Sequence, residues 1–229
     1  MPRLLKELCK IGGLRWIRIL YCYPEEITDE LIQVIKEEDK ICKYLDLPIQ
    51  HASDAILKRM GRRTSKAQLI EIVEKLRREI PDIALRTTLI TGFPGETSEQ
   101  HEELMEFIDE MEFERLGVFT YSPEEDTPAA MMADQVEEEV KEDRQAELME
   151  LQQEIAFEKA ESMIGKEVMV MIEGKVADEN AYVGRTYMDA PNVDGLIFIE
   201  TDIELMSGDF AMVTVTGALE YDLIGEIKE

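Results

Sequence analysis

The first 121 residues alternate short apolar runs with amphipathic stretches. Leu4, Leu5, Leu8 and Ile11 recur at helical spacing, and Gly12-Gly13 closes that segment. Trp16 to Tyr23 (WIRILYCY) is an apolar run closed by Pro24 and predicts a buried strand. Ile27, Leu31, Val34 and Ile35 mark an amphipathic helix running to Glu38. Tyr44 to Ile49 predicts a second strand, and Asp54 to Met60 a short helix. Leu69, Ile72, Val73, Leu76 and Ile80 form the apolar stripe of a longer helix that Pro81-Asp82 ends. Ala84 to Thr91 predicts a third strand. Gly92-Phe93-Pro94-Gly95 follows as a turn, with Pro-Gly suited to the central positions of type II. Thr97 and Gln100 have capping-box spacing before a helix carrying Leu104, Phe107, Ile108 and Met111. Leu116 to Tyr121 predicts a fourth strand.

Near-continuously apolar strands between amphipathic helices imply a parallel sheet covered by helices. Four strands fit a small doubly wound sheet or an arc of a larger barrel, and the pattern leaves both open. From Asp134 to about Ser162 the chain lacks Gly and Pro and reads as a charged helical connector, with a narrow stripe of Val136, Val140, Leu148, Leu151 and Ile155. After Gly165 the period becomes two. Strands are predicted at Glu167–Glu173, Tyr182–Tyr187, Gly195–Ile199, Phe210–Ala218 and Asp222–Ile227, which suggests a small closed β-barrel of the OB type. The expected division is 1–133, a connector over 134–156, and 157–229.

Composition narrows the function classes. Of 229 residues, 45% are apolar, as a packed core requires. There are 25 basic and 51 acidic residues, a formal net charge of −26. That balance opposes sequence-independent nucleic-acid binding, which needs cations for phosphates, and makes RNA binding an unfavoured expectation. It fits a basic protein partner. No apolar run approaches the ~20 residues of a membrane helix, and a cytoplasmic location is expected. Cys9, Cys22 and Cys42 are spaced unlike any local metal or cluster motif and read as packed thiols. No metal-ligand set and no catalytic triad is expected around His51 and His101.

Three segments carry more specific chemistry. Gln50 and His51 in PIQHASDAILKRMGR directly follow a strand, where parallel sheets bind ligands, and Arg62 can return to the same mouth after a short helix. Alone, a capping Ser53 and a solvated Arg62 explain that segment equally simply. LRTTLITGFPGET has a Gly-rich turn after a strand but lacks the Walker Lys-Ser/Thr. VGRTYMDAPNVDG is a strand followed by an acidic loop ending in the turn pair Asp-Gly.

In this order these segments resemble the later part of the radical S-adenosylmethionine methylthiotransferases of the RimO type, and VGRTYMDAPNVDG resembles the pattern of that family's terminal TRAM domain. The resemblance implies α/β plus β: a partial radical-SAM (β/α) barrel, the last four of six strands, followed by a five-stranded OB-like TRAM barrel. It implies transfer of a methylthio group to the β-carbon of an aspartate in small-subunit ribosomal protein twelve, by radical chemistry. S-adenosylmethionine is the implied cofactor, together with two 4Fe-4S clusters whose cysteine motifs are not found in this chain, so the chain alone is expected to be inactive. By motif match Gln50 and Arg62 would contact the cofactor, Thr88 would face its adenosine, and Arg86 and Tyr121 would belong to the cavity wall. The last 73 residues hold 16 acidic and 5 basic residues, a net of −11. This suits docking of a basic ribosomal protein, with Asp189 and Asp194 as contact candidates beside the simpler role of shaping a turn. A tRNA-acting relative and a non-catalytic binding module remain the alternatives.

Overall fold

The computed structural model describes residues 1–177 and 179–227. It divides into two compact units, Met1–Gln153 and Glu154–Glu229.

The first unit holds four parallel strands, β1 (Ile17–Ile19), β2 (Ile41–Asp46), β3 (Ala84–Thr91) and β4 (Arg115–Thr120), in the order β1-β2-β3-β4. That order decides between the two arrangements the pattern allowed. A doubly wound sheet reverses its strand order at a switch point. Here every crossover steps the same way, so right-handed connections put the helices on one face and leave the other concave, as in an arc of a barrel. Burial along β3 follows suit. Leu85, Thr87 and Leu89 are fully buried on the helix side, whereas Arg86, Thr88 and Ile90 on the other face keep some exposure.

The helices are α1 (Pro2–Cys9), α2 (Asp29–Glu37), α3 (Asp54–Arg59), α4 (Lys66–Glu79), α5 (Ser98–Met111) and α6 (Glu138–Glu161). Thr97 and Gln100 form the expected capping box of α5, with Thr97 N–H donating to Gln100 at 3.0 Å and Gln100 N–H to Thr97 at 3.4 Å. Ser65 and Gln68 form a second at α4. Several boundaries differ from the sequence pattern. β1 stops at Ile19 because Tyr21 takes a φ of 58° and turns the chain out of the ladder. β2 starts earlier, at Ile41. α6 starts four residues late because Asp134 is bonded to Arg59 at 2.7 Å and the Gln135 amide donates to the carbonyls of Ala129 and Met132.

The second unit contains β5 (Glu167–Lys175), β6 (Ala181–Thr186), β7 (Ile197–Glu200), β8 (Phe210–Leu219) and β9 (Asp222–Ile227), closed into a barrel in the order β5-β6-β7-β9-β8. Each lies within two residues of its expected bounds. Val168, Val170, Ile172, Ile197, Ile199, Val213 and Val215 are buried, and closure leaves no unpaired strand edge. Among the described residues no helix is long and apolar enough to cross a membrane.

Candidate functional site

The carboxyl ends of β2 and β3 meet at Gln50. Beyond Asp46 the chain still runs beside β3, and Leu47 N–H donates to Arg86 O at 2.8 Å. The ladder lapses at Ile49, whose N–H donates to Thr87 Oγ1 at 3.4 Å instead of to a backbone carbonyl. Gln50 restores it: its N–H donates to Thr88 O at 3.0 Å and its carbonyl accepts from Ile90 N–H at 2.8 Å. Gln50 does so at a φ of 74°, a left-handed conformation that costs a non-glycine residue about 1–2 kcal/mol. Such strain at a strand end is a mark of a constrained site.

Gln50, Arg62 and Thr88 converge on one pocket of about 290 Å³, completed by Tyr21, Cys22, Tyr23 and Pro48. Arg62 returns after α3, donates to Pro48 O at 2.5 Å and lies 5.1 Å from the Tyr23 ring centroid. A second cavity of about 670 Å³ shares Gln50 and Arg62 and is walled by Met60, Ile90, Phe93 and Tyr121. Tyr121 is 8% exposed, its ring meets Phe93 edge-on at 5.1 Å, and its hydroxyl has no hydrogen-bond partner. Arg86 lines neither cavity. It sits two residues before Thr88 on the same face of β3 and pairs with Asp46 at 3.6 Å.

Behind these cavities lies a buried ionic cluster that sequence reasoning missed. One Glu96 oxygen accepts from the N–H groups of Gly92 (2.7 Å) and Phe93 (3.2 Å); the other accepts from Thr91 Oγ1 (3.3 Å) and Arg144 (2.9 Å). His51 is fully buried, accepts from Ser53 N–H at Nδ1, and so turns a protonated Nε2 toward Glu96 at 3.6 Å. Burial by itself would raise the Glu96 pKa. His51, Arg144 and the Gly92 N–H outweigh it and hold the carboxyl below its ordinary range. The available signal was a lysine and an arginine three residues apart, Lys141 and Arg144, on an otherwise acidic helix.

The two loop aspartates are placed differently from the docking expectation. Asp189 is 2% exposed and accepts from Thr186 Oγ1 at 2.6 Å. Asp194 accepts from Ala190 N–H at 2.7 Å. Both carboxylates accept hydrogen bonds from within their own loop.

The cysteines do not fit an iron–sulfur cluster. All three are free thiols, Cys22 and Cys42 buried. Burial, then Asp46, pushes the Cys22 thiol up; burial, then Glu38, does the same to Cys9. Among the described residues no group of three His, Cys, Asp or Glu side chains could hold a metal ion.

Comparison with known proteins follows the two units. Residues 1–108 match the radical SAM superfamily and residues 164–227 the TRAM domain. The chain is 68% identical over 98% of its length to the ribosomal protein uS12 methylthiotransferase RimO of Lachnoclostridium phytofermentans, and 50% identical over 99% of its length to that of a Thermoanaerobacter species. It spans about half of each, 51%. Among solved structures, the radical SAM enzyme coproporphyrinogen III oxidase of Escherichia coli shares the fold at a TM-score of 0.51 and 19% identity, over 72% of this chain and 38% of that one. A radical SAM superfamily segment leads into a TRAM domain, and along nearly its whole length the chain is similar to one part of the RimO-type methylthiotransferases.

Proposed function

We propose that this chain supplies the S-adenosylmethionine-holding wall and the partner-docking module of a methylthiotransferase acting on ribosomal protein uS12, in the cytoplasm. One observation carries the reading: Gln50, Arg62 and Thr88, separated by up to 38 residues, line the same pocket at the carboxyl ends of parallel strands. The Arg62 guanidinium offers a fork of donors to the cofactor's carboxylate. Gln50 adds a side-chain donor and acceptor beside it, and Thr88, expected to face the adenosine, lines this smaller pocket and not the adjoining one. The adjoining cavity, apolar at Met60, Ile90, Phe93 and Phe119, suits the adenosine and excludes water from it. When bound, S-adenosylmethionine supplies the radical and methyl chemistry of the family, and the protein's share is binding, orientation and shielding. No step is assigned to an iron–sulfur cluster, since the cysteines present do not fit one, and the chain alone is expected to bind without turnover.

Docking of uS12 falls to the acidic barrel unit. Since Asp189 and Asp194 are committed to their loop, the exposed carboxylates of Glu200, Asp202 and Glu226, around a groove of about 600 Å³, are the better contacts. Opposite charge there would steer a basic partner. Reversing Glu200 and Asp202 together should weaken low-salt binding of uS12; undiminished binding would move the docking site elsewhere.

Calorimetric titration with S-adenosylmethionine tests the cofactor reading. Arg62→Met is expected to weaken binding roughly tenfold or more, the weight of one charge-assisted hydrogen bond, with a small fall in melting temperature from the lost bond to Pro48 O. No binding by the unaltered chain at millimolar cofactor would overturn the assignment.

A further inference from the structure

We propose that Arg144 and Lys141 of α6 are positioning residues for the cavities at the strand ends, acting through Glu96 and the Tyr121 carbonyl. The two cations grip two different walls. Arg144 donates to the Glu96 carboxylate at 2.9 Å and to the Glu96 carbonyl at 3.2 Å. Glu96 in turn holds the N–H groups of Gly92 and Phe93. Lys141 donates from Nζ to Tyr121 O at 3.0 Å and to Glu138 at 2.9 Å, and its ammonium lies 5.6 Å from the Tyr121 ring centroid. Phe93 and Tyr121, the residues so held, are the edge-to-face pair that walls the larger cavity. Its shape is therefore set by a helix that follows the sheet in sequence, not by the βα repeats alone.

Energetics favour positioning over stability as the reason for this arrangement. Glu96, Lys141 and Arg144 are each at most 8% exposed. Removing charges from water costs much of what their attraction returns, so a buried pair adds little net stability. A carboxylate that accepts from two backbone N–H groups, a hydroxyl and a guanidinium does, however, specify one loop conformation. A single terminal nitrogen of Arg144 reaches both the carboxylate and the carbonyl of the same residue, a contact that a lysine ammonium can also make.

Amide hydrogen exchange on the intact chain tests the proposal without any ligand. Arg144→Met should speed exchange at Gly92 and Phe93 roughly tenfold or more, while Leu45 and Leu89 inside the sheet stay within about twofold. Arg144→Lys should recover most of the protection. Lys141→Met keeps the aliphatic stem, removes the ammonium, and should speed exchange at the Tyr121 amide. Unchanged exchange would overturn the proposal, as would a uniform rise across the sheet, which would mark a general stabilising role. If Arg144→Met does not fold, the isosteric Glu96→Gln is read the same way. Which ligand the cavity takes rests on the cofactor reading above. In cofactor titrations Arg144→Met should lose affinity and Arg144→Lys regain it. Should the unaltered chain bind no cofactor while the local exchange effect appears, the cofactor reading falls and the positioning role stands.

Discussion

Gly92→Ala probes the turn between β3 and α5 at its tightest point. Gly92 has a φ of 71°, where an alanine costs about 1–2 kcal/mol. A methyl there would also fall on Lys141 Cγ, well inside contact distance, with Lys141 Cβ and Cδ at 3.0 Å. That stem cannot swing aside freely, because Lys141 Nζ is bonded to Tyr121 O and Glu138. Overpacking of this kind adds about 1–3 kcal/mol, so the total loss is about 2–5 kcal/mol. Gly95 is the internal control. Its φ is 81°, and a methyl would meet Asp134 Oδ2 at 2.5 Å and Arg59 Cζ at 2.7 Å. Those are the ends of side chains 50% and 37% exposed, which can move, so Gly95→Ala should cost only the backbone share, about 1–2 kcal/mol. Urea unfolding followed by Trp16, the single tryptophan and a residue of the first unit, measures both. With a urea slope of about 2 kcal/mol/M, Gly92→Ala should lower the midpoint by about 1–2.5 M and Gly95→Ala by less than about 1 M. Adding Lys141→Ala should make Gly92→Ala less costly than it is alone, a coupling expected of side chains in contact. Equal costs for the two glycines, or no coupling with Lys141, would refute the steric reasoning.

Acid should loosen the Gly92–Phe93 turn by way of Glu96. A depressed folded-state pKa contributes stability that is fully present above the ordinary carboxyl value, 4.5, and is lost as pH falls through the lower folded value. Glu96→Gln should flatten the acid loss of amide protection at Gly92 and Phe93, read against the intrinsic rate across about pH 3–7; an unchanged acid loss would show that other carboxylates govern it. Asp189→Ala should destabilise the barrel unit by about 1–3 kcal/mol, because the fully buried Thr186 hydroxyl loses its acceptor. Its uS12 binding in the folded state should be unaltered. A variant with an unshifted melt and weakened binding would restore Asp189 as a contact.

Much of this protein was written locally. The caps at Thr97 and Ser65, the Pro94-Gly95 turn with Glu96 N–H donating to Phe93 O at 2.9 Å, the exact span of β3 and the five barrel strands all follow from side-chain periodicity and short-range backbone preferences. These are interactions within a few residues, so the sequence alone carries them. The motif segments also put Gln50 and Arg62 at one strand-end mouth, and the family resemblance added Thr88.

Tertiary structure decided the rest, for reasons of distance along the chain. Strand order depends on which edges pair, so the choice between a doubly wound sheet and a barrel arc appeared only with the order β1-β2-β3-β4. The left-handed Gln50 is imposed by hydrogen bonds to β3, nearly 40 residues later, and no local preference of glutamine announces it. Asp189 looked like a surface acid until its carboxylate closed on Thr186. The Glu96–Arg144 pair joins residues 48 apart, and two cations on an acidic helix mark a candidate without naming the partner that packing gives it. Burial is a property of the assembled unit, and it turned an acidic-helix arginine into the partner of a buried carboxylate.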